Sequence, residues 1–181
     1  MKELAPPSSF FLEQCERLRA VAHLGPVVDL ASGRGRHSLV AAARGMRVIA
    51  VDRNRDFLVE LAARARGQNL PFEGIRADLE SPAEIPLKPA SCGAILVFRF
   101  LFRPLAPQIE AALCPGGLLV YETFTAHQRE LAGGPRNPAH LLAEDELPGL
   151  FPSLDVLDFW QGVTPGKSPT AVARLAARRP G

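Results

Sequence analysis

An apolar segment that runs directly into a glycine-rich turn most restricts the folds open to this chain. Residues 27–31, Val-Val-Asp-Leu-Ala, have the composition of a buried strand, and Ser32-Gly33-Arg34-Gly35 follows at once. Glycines in such a turn let the backbone turn sharply and approach a ligand closely, as nucleotide-binding strand–helix units require. We therefore predict a strand, a tight turn and a helix over residues 36–44, which Gly45 ends.

The same alternation continues to about residue 123. Apolar runs predict strands over 47–51, 72–77, 94–98 and 118–123, and helices are predicted over 54–66, capped by Asn54, and 104–113. The segment 94–98 is wholly apolar, as expected for a strand whose two faces are both covered by helices. Strands that alternate with helices indicate a parallel, doubly wound α/β sheet.

The C-terminal third departs from this alternation. A loop over 125–140 and a short helix near 144–151 precede two closely spaced strands, 155–160 and 171–177. The segment between these strands is proline-rich and too short for a crossover helix, so the two strands must pair antiparallel. The expected fold is a Rossmann-like, mostly parallel, seven-stranded sheet with a reversed last strand.

Charge and cysteine content exclude several classes of protein. The formal net charge is +2, with both signs mixed along the chain, so no nucleic-acid-binding face is predicted. The three cysteines lie far apart without a Cys-x-x-Cys pair, which favours neither a metal site nor disulfides. No apolar run approaches the ~20 residues of a membrane span, and charges interrupt the N-terminal apolar residues. We expect a cytoplasmic protein that binds no membrane, nucleic acid or metal.

The strand after the glycine turn ends in an acid, and the two features together indicate a nucleotide site. Asp52 follows Val48-Ile-Ala-Val and is placed to accept hydrogen bonds from ribose hydroxyls. A dinucleotide site would use a third glycine where this chain has Ser38, and the charge of Asp29 would disfavour a pyrophosphate. S-adenosylmethionine has no phosphate, and its ammonium and sulfonium groups would be attracted by an acid. The residues therefore favour S-adenosylmethionine over NAD, with a glycine turn that binds nothing as the third alternative.

The segment Asp29-Leu-Ala-Ser-Gly-Arg-Gly resembles the first motif of class I S-adenosylmethionine-dependent methyltransferases. Pro115-Gly-Gly-Leu118 resembles the turn that these enzymes place before their fifth strand, and the likeness covers about residues 25–178. Arg34-Gly-Arg-His-Ser-Leu39 and the helix from Glu144 to Leu147 are similar to the small bacterial tellurite-resistance-like methyltransferases.

The resemblance implies that Asp52 binds the ribose and that Asp78 meets the adenine amino group, although an aspartate after a strand often only caps a turn. The chain departs from the family pattern at Ala31, where a glycine is usual; an alanine is tolerated there if its φ is negative. The expected cofactor-binding residues are Asp29, Ala31, Gly33, Gly35, Asp52, Arg53, Asp78, Leu79 and Phe98.

The methyl acceptor is expected beyond the C-terminal ends of the fourth and fifth strands, where such sheets bind ligands. The side chains expected near the sulfonium are Arg99, Phe100, Phe102, Arg103, Glu122, Thr123 and His127. Glu122 and His127 are candidates for a general base, with a strand-end hydrogen bond and a surface position as the respective alternatives. With Arg99, these two residues form the predicted catalytic set.

A glycine- and proline-rich loop, 133–138, follows the fifth strand. Pro135 and Pro138 restrict the backbone around Arg136 and Asn137, which suits a loop that presents both to a ligand and equally an ordinary surface loop. Guanidinium groups offer paired donors for a carboxylate or oxyanion, so an anionic acceptor is expected. The predicted substrate-binding residues are Arg99, Arg103, Arg136 and Asn137.

These features predict methyl transfer to a small molecule by a monomer or homodimer. No Asn/Asp-Pro-Pro-Tyr/Phe segment follows the fourth strand, which argues against methylation of adenine bases or glutamine amides. A module that binds S-adenosylmethionine without transfer and an NAD-dependent oxidoreductase are the alternatives. We expect one domain over 1–181, in which an N-terminal helical segment (1–24, helix 10–22), a cofactor-binding half (25–124) and a substrate loop with the C-terminal hairpin (125–181) follow one another.

Overall fold

A single sheet runs through the computed structural model, which describes residues 3–81, 84–166 and 168–181. Its strands are β1 (Val27–Leu30), β2 (Val48–Asp52), β3 (Phe72–Arg76), β4 (Cys92–Phe98), β5 (Leu113–Phe124), β6 (Asp155–Val163) and β7 (Ala171–Arg178). Their order is β3-β2-β1-β4-β5-β7-β6. β7 runs antiparallel to both of its neighbours, whereas β1 to β5 pair in parallel. The predicted seven-stranded sheet with a reversed last strand is therefore confirmed.

Helices cover both faces of this sheet. They are α1 (Ser9–Glu13), α2 (Cys15–Val21), α3 (Ser38–Ala43), α4 (Arg55–Gly67), α5 (Ala106–Ala112) and α6 (Glu146–Gly149), with 3-10 turns at Arg103–Leu105, Ala126–Glu130 and Pro138–His140. Successive residues of the central strands enter opposite cores: Ile95 packs with α5 and α6, whereas Leu96 packs with α1 to α3. Each such side chain stabilises the fold by about 1.5–3 kcal/mol on burial, which explains why β4 must be apolar throughout.

Several element boundaries differ from the sequence-based expectation. The predicted helix 10–22 is two helices, α1 and α2, that meet at the buried Gln14. β5 begins at Leu113, five residues before the expected start, because the Cys114–Gly117 segment is accommodated as an irregularity in its pairing with β4. Gly116 adopts a φ of 78° within it, and a side chain at Gly117 would come within 2.8 Å of a backbone carbonyl oxygen.

The N-terminal helices anchor a short segment that crosses the edge of the sheet where the parallel strands end. Phe11 and Leu18 are fully buried beneath the sheet, and Phe10 is almost so. The residues before them, 4–8, consequently lie over the glycine turn. Within the described ranges, none of the helices combines the length and the apolar character needed to cross a membrane. Met1 and Lys2 of the N-terminal segment and Lys167 between β6 and β7 lie outside the described residues.

Candidate active site

Two adjoining cavities open at the C-terminal edge of β1, β2 and β4. The first, which we call the edge cavity, has a volume of about 520 Å³, and its wall includes Asp52, Asp78, Arg99 and His140. The second, the turn cavity, has a volume of about 370 Å³ and is lined by Asp29, Ser32 and the N-terminal residues Leu4 and Ala5, among others. Ala31 and Arg99 belong to both walls, so the two cavities meet at these residues. The combined space is of the size that cofactor sites occupy.

The backbone at Ala31 is left-handed, so the negative φ that would accommodate an alanine without strain is not present. Its φ is 54°, a conformation that costs an alanine roughly 1–2 kcal/mol. The next peptide is fixed, because the Ser32 N–H donates to the Val51 carbonyl at 3.1 Å. The strand-to-turn geometry is therefore imposed by pairing with β2, and the alanine accepts the strain.

The two glycines of the turn serve different purposes. Gly33, with a φ of 56°, has none of the described atoms within 4 Å of where a side chain would begin, and it lines the turn cavity. Gly35, with a φ of 76°, faces helix α4, and a side chain there would come within 2.3 Å of Leu61. Gly35 thus permits close packing of the turn on α4, whereas Gly33 leaves space on the cavity side.

Asp52 braces the turn and still presents its carboxylate to the edge cavity. Oδ2 accepts from the Gly33 N–H at 2.7 Å, and Oδ1 accepts from the Asn54 N–H at 2.8 Å. Each carboxylate oxygen can accept a second hydrogen bond, so the group retains capacity for a ligand hydroxyl. Asp52 is the last residue of β2, as predicted, and it lines the cavity together with Arg53 and Phe57.

Asp29 lies in the wall of the turn cavity and is almost entirely removed from solvent. Oδ2 accepts from the Ser38 hydroxyl at 2.6 Å, and burial raises the pKa of the Asp29 carboxyl to about 7. Close by in the same wall, the buried Ser32 Oγ has no hydrogen-bond partner among the described residues. A buried carboxyl and an unsatisfied hydroxyl in one cavity are the groups that a polar, cationic ligand would complete.

The expected adenine-side and methionine-side residues divide between the cavities. Asp78, Leu79 and Arg53 line the edge cavity; Asp78 Oδ1 also accepts from the Glu80 N–H at 3.0 Å, which is the turn-capping role considered from the sequence. Phe98 lines the turn cavity, and the centre of its ring lies 3.9 Å from the centre of the His37 ring.

Arg99 occupies the junction of the cavities. Its φ is 58°, and its N–H donates to the Glu122 carbonyl at 2.8 Å, which turns the chain away from β4. The guanidinium carbon lies 5.6 Å from the centre of the Phe124 ring. In the part of the chain that the structure describes, this guanidinium makes no hydrogen bond or ion pair, so its charge is available to a ligand.

Glu122 and His127, the candidate bases, are committed to other contacts. Glu122 is buried and accepts from Arg174 Nε at 2.8 Å and from the Ser8 hydroxyl at 2.9 Å. His127 Nε2 lies 3.5 Å from Glu130 Oε2, and its ring lines a separate cavity beside β6. The structure therefore does not bring either side chain into the described walls of the edge and turn cavities.

Arg103 and Arg136 use their guanidinium groups to hold the loop between β5 and α6. Arg103 forms a two-point ion pair with Glu146, and this contact raises the pKa of Arg103 and lowers the pKa of Glu146. Arg136 donates to the carbonyls of Arg129 and Leu131, and the Asn137 side chain caps the 3-10 turn at 138–140. None of these three predicted substrate-binding residues is among the described residues that line the edge or turn cavity.

Sequence reasoning missed the contribution of the N-terminal segment. The Ser8 N–H donates to His37 Nε2 at 3.2 Å, and Arg36 Nη1 donates to the Pro6 carbonyl at 3.2 Å. Burial and the neighbouring Arg36 and Arg99 charges lower the pKa of His37 to about 3, so its imidazole is neutral and can accept this bond. A single histidine in Arg-Gly-Arg-His carried no sign of such a partner, because Ser8 lies 29 residues away in the chain.

Several solved structures have a similar fold. The structure is similar to TehB from Haemophilus influenzae (TM-score 0.72, 19% identity, covering 91% of this chain and 61% of TehB). It is also similar to geranyl diphosphate C-methyltransferase from Streptomyces coelicolor, solved with S-adenosyl-L-homocysteine (TM-score 0.68, 16% identity, covering 93% of this chain and 80% of that one). A SAM-dependent methyltransferase from Methanosarcina mazei is similar as well (TM-score 0.68, 17% identity, covering 86% of this chain and 92% of that one).

The present chain thus spans less than two thirds of TehB, and at these identities the likeness concerns the fold. Among curated proteins, no sequence matches this chain. A model of the methyltransferase domain family, however, matches residues 27–117, which is half of the chain and contains the glycine turn, Asp52 and Arg99. On that match, the chain belongs to the methyltransferase domain family.

Proposed function

We propose that this protein transfers the methyl group of S-adenosylmethionine to a small anionic acceptor. The observation that carries the proposal is that the buried Asp29 and the unsatisfied Ser32 hydroxyl line the same cavity. That cavity adjoins the edge cavity, whose wall contains Asp52. The geranyl diphosphate C-methyltransferase structure, which contains S-adenosyl-L-homocysteine and a small-molecule substrate, supports this choice of ligand classes.

The residues present fit the cofactor in chemical character. Asp52 would accept hydrogen bonds from the ribose hydroxyls, and Asp29 would attract the ammonium group of the methionine part. Ser32 Oγ would gain the partner that it lacks. Phe57, Leu79 and Asp78 would form the adenine end of the edge cavity. The bound cofactor supplies a methyl group on a cationic sulfur, ready for in-line displacement.

The protein contributes mainly by placing the acceptor. Transfer neutralises the sulfonium, so orientation of the nucleophile can supply much of the barrier reduction, up to ~7–11 kcal/mol for well-aligned reactants. Since the candidate bases Glu122 and His127 face other contacts, we propose that the enzyme acts on an acceptor that is already a nucleophile or loses its proton elsewhere.

Arg99 is the basis for proposing a negatively charged acceptor. Its guanidinium lies at the junction of the two cavities with no anionic partner among the described side chains. Arg103 and Arg136, in contrast, donate hydrogen bonds to other groups of the protein. A cation beside a sulfonium is unfavourable unless an anion lies between them. A carboxylate or another oxyanion on the acceptor would satisfy this requirement.

Calorimetry and a transfer assay test the proposal. S-adenosylmethionine and S-adenosylhomocysteine should bind, and NAD should bind far more weakly; tighter NAD binding would contradict the assignment. Release of S-adenosylhomocysteine is then measured with pairs of acceptors that differ in one carboxylate, such as thiosalicylate against thiophenol and 4-hydroxybenzoate against phenol. Binding without product on any acceptor would favour the alternative of a non-catalytic binding module, and preference for the member of each pair that lacks the carboxylate would refute the role of Arg99.

A further inference from the structure

His140 lies in the wall of the edge cavity, on the side formed by the loop after β5. The same wall includes Arg99, which follows β4, Phe124, the last residue of β5, and Pro135 of the loop after β5. The residue is exposed, and within the described ranges its imidazole has no hydrogen bond or ion pair. A polar side chain that faces a cavity without a protein partner is available to a ligand.

The backbone on both sides of His140 is held by one side chain. Arg103 Nη1 donates to the carbonyl of Ala139 at 3.0 Å, and Nη2 donates to the carbonyl of Leu141 at 2.9 Å. These carbonyls belong to the two residues next to His140 in the chain. One guanidinium therefore fixes the position and direction of this residue's backbone.

Arg103 is itself fixed. Its Nε and Nη2 donate to the two carboxylate oxygens of Glu146, the second at 2.8 Å, and Glu146 also accepts from the Ala143 N–H at 2.7 Å. The 3-10 turn that carries His140 is capped from its other end, because Asn137 Oδ1 accepts from the Ala139 N–H at 3.0 Å. A planar, two-point pair of this kind is the arrangement in which arginine loses least freedom for each bond that it makes.

The degree of support distinguishes His140 from His127, thirteen residues earlier in the chain. His127 lies beside Glu130 and faces the separate cavity next to β6. Functional side chains need a supporting structure that positions them, and the bonds of Arg103 and Asn137 to the neighbouring residues provide it for the backbone of His140.

We propose that His140 contacts the methyl acceptor and that Arg103 is its positioning residue. This inference rests on the proposed function, because the edge cavity must hold the reacting ligands. His140 contributes a hydrogen bond from the cavity wall that it shares with Arg99, so that an anionic acceptor contacts both an imidazole and a guanidinium. Arg103, expected from the sequence to bind substrate, acts on it only through His140.

Imidazole NMR of the full-length protein tests this without knowledge of the acceptor. The chain has four histidines, and His140→Gln identifies the signals of residue 140. Saturation with S-adenosylhomocysteine, followed by thiosalicylate as an anionic probe, should shift the His140 signals and leave those of His127 unchanged. Arg103→Ala should abolish the response, Arg103→Lys should restore part of it, and Asn137→Ala, which loosens the turn with little risk to folding, should weaken it.

Arg136→Ala is the matched control and should leave the response unchanged, since Arg136 also donates to two carbonyls of this loop but not to those of the residues next to His140. An unmoved His140 signal in a complex that calorimetry shows to be formed would refute the role of His140. A response that persists unchanged in Arg103→Ala would refute the positioning role. Absence of S-adenosylhomocysteine binding would refute the proposed function itself, and this inference with it.

Kinetics with any acceptor found in the transfer assay provide a second readout. His140→Ala and Arg103→Ala should each raise the KM for the acceptor about 3- to 10-fold, the effect of one lost hydrogen bond, with little change in affinity for the cofactor. His127→Ala should leave both constants unchanged. Equal effects of the His140 and His127 substitutions would contradict the proposal.

Discussion

Asp29→Asn should make the free protein more stable at alkaline pH while weakening its cofactor binding. The wild-type carboxyl is buried, and its pKa of about 7 compares with 3.8 for an ordinary aspartate. A folded-state pKa above the unfolded value means that the carboxyl favours folding below about pH 4, and that this contribution is lost as the pH rises to about 7. An amide of the same shape has no charge to bury and can still accept from Ser38.

The expected size follows from the pKa difference. At 1.36 kcal/mol for each pH unit, the ionised Asp29 costs up to about 4 kcal/mol at pH 8 relative to its neutral form, and relaxation of the site will reduce this figure. The gain in stability of Asp29→Asn over wild type should therefore be small at pH 4.5 and about 2–4 kcal/mol at pH 8.5. The same change removes the counter-charge proposed for the cofactor ammonium.

Urea unfolding of the ligand-free protein at these two pH values measures the effect, with calorimetric titration of S-adenosylmethionine at pH 8.5 alongside. Asp155→Asn, at an exposed aspartate of β6, is the control and should change neither quantity. The reasoning fails if the stability difference between Asp29→Asn and wild type is the same at both pH values. It fails equally if the variant binds the cofactor as tightly as the wild type does.

Further substitutions probe the turn and the cavity junction. Ala31→Gly should raise the free energy of unfolding by up to about 1 kcal/mol, because glycine relieves the positive φ at some cost in entropy; an unchanged thermal midpoint would argue against strain there. Gly35→Ala should destabilise the fold by about 1–3 kcal/mol through its clash with Leu61, and urea unfolding that shows no loss would contradict this packing. Asp52→Ala should weaken cofactor binding about 10- to 100-fold by calorimetry and also loosen the turn that it braces, so equal affinity in a folded variant would place the ribose elsewhere. Arg99→Ala should raise the acceptor KM more than the cofactor dissociation constant, and unchanged acceptor kinetics would remove the anionic-acceptor proposal.

The fold could be predicted because its signals are local. The wholly apolar 94–98 segment required cover on both faces, and the short link before 171–177 required an antiparallel partner. The positions of Asp29 and Asp52 followed in the same way, since the ends of neighbouring parallel strands must meet at one edge of the sheet.

Side-chain roles could not be predicted with the same success. Arg103 resembled a free cation until Glu146, 43 residues away, was found to pair with it, and Glu122 resembled a base until it was found with Arg174, 52 residues away. Conversely, His140 stood in a loop with no pattern of its own. Gly33 and Gly35 of the same turn also have different roles, because only Gly35 packs against Leu61.

The sequence by itself determined which segments are buried, how they alternate and at which edge the polar residues collect, because hydrophobic periodicity and turn chemistry act between neighbours in the chain. Tertiary structure decided which of the arginines, histidines and acids at that edge face a cavity without an ion-pair or hydrogen-bond partner in the protein. That outcome depends on ion pairs and hydrogen bonds between distant segments, and a charged side chain satisfied by the protein cannot be distinguished from one awaiting a ligand until its partners are in place.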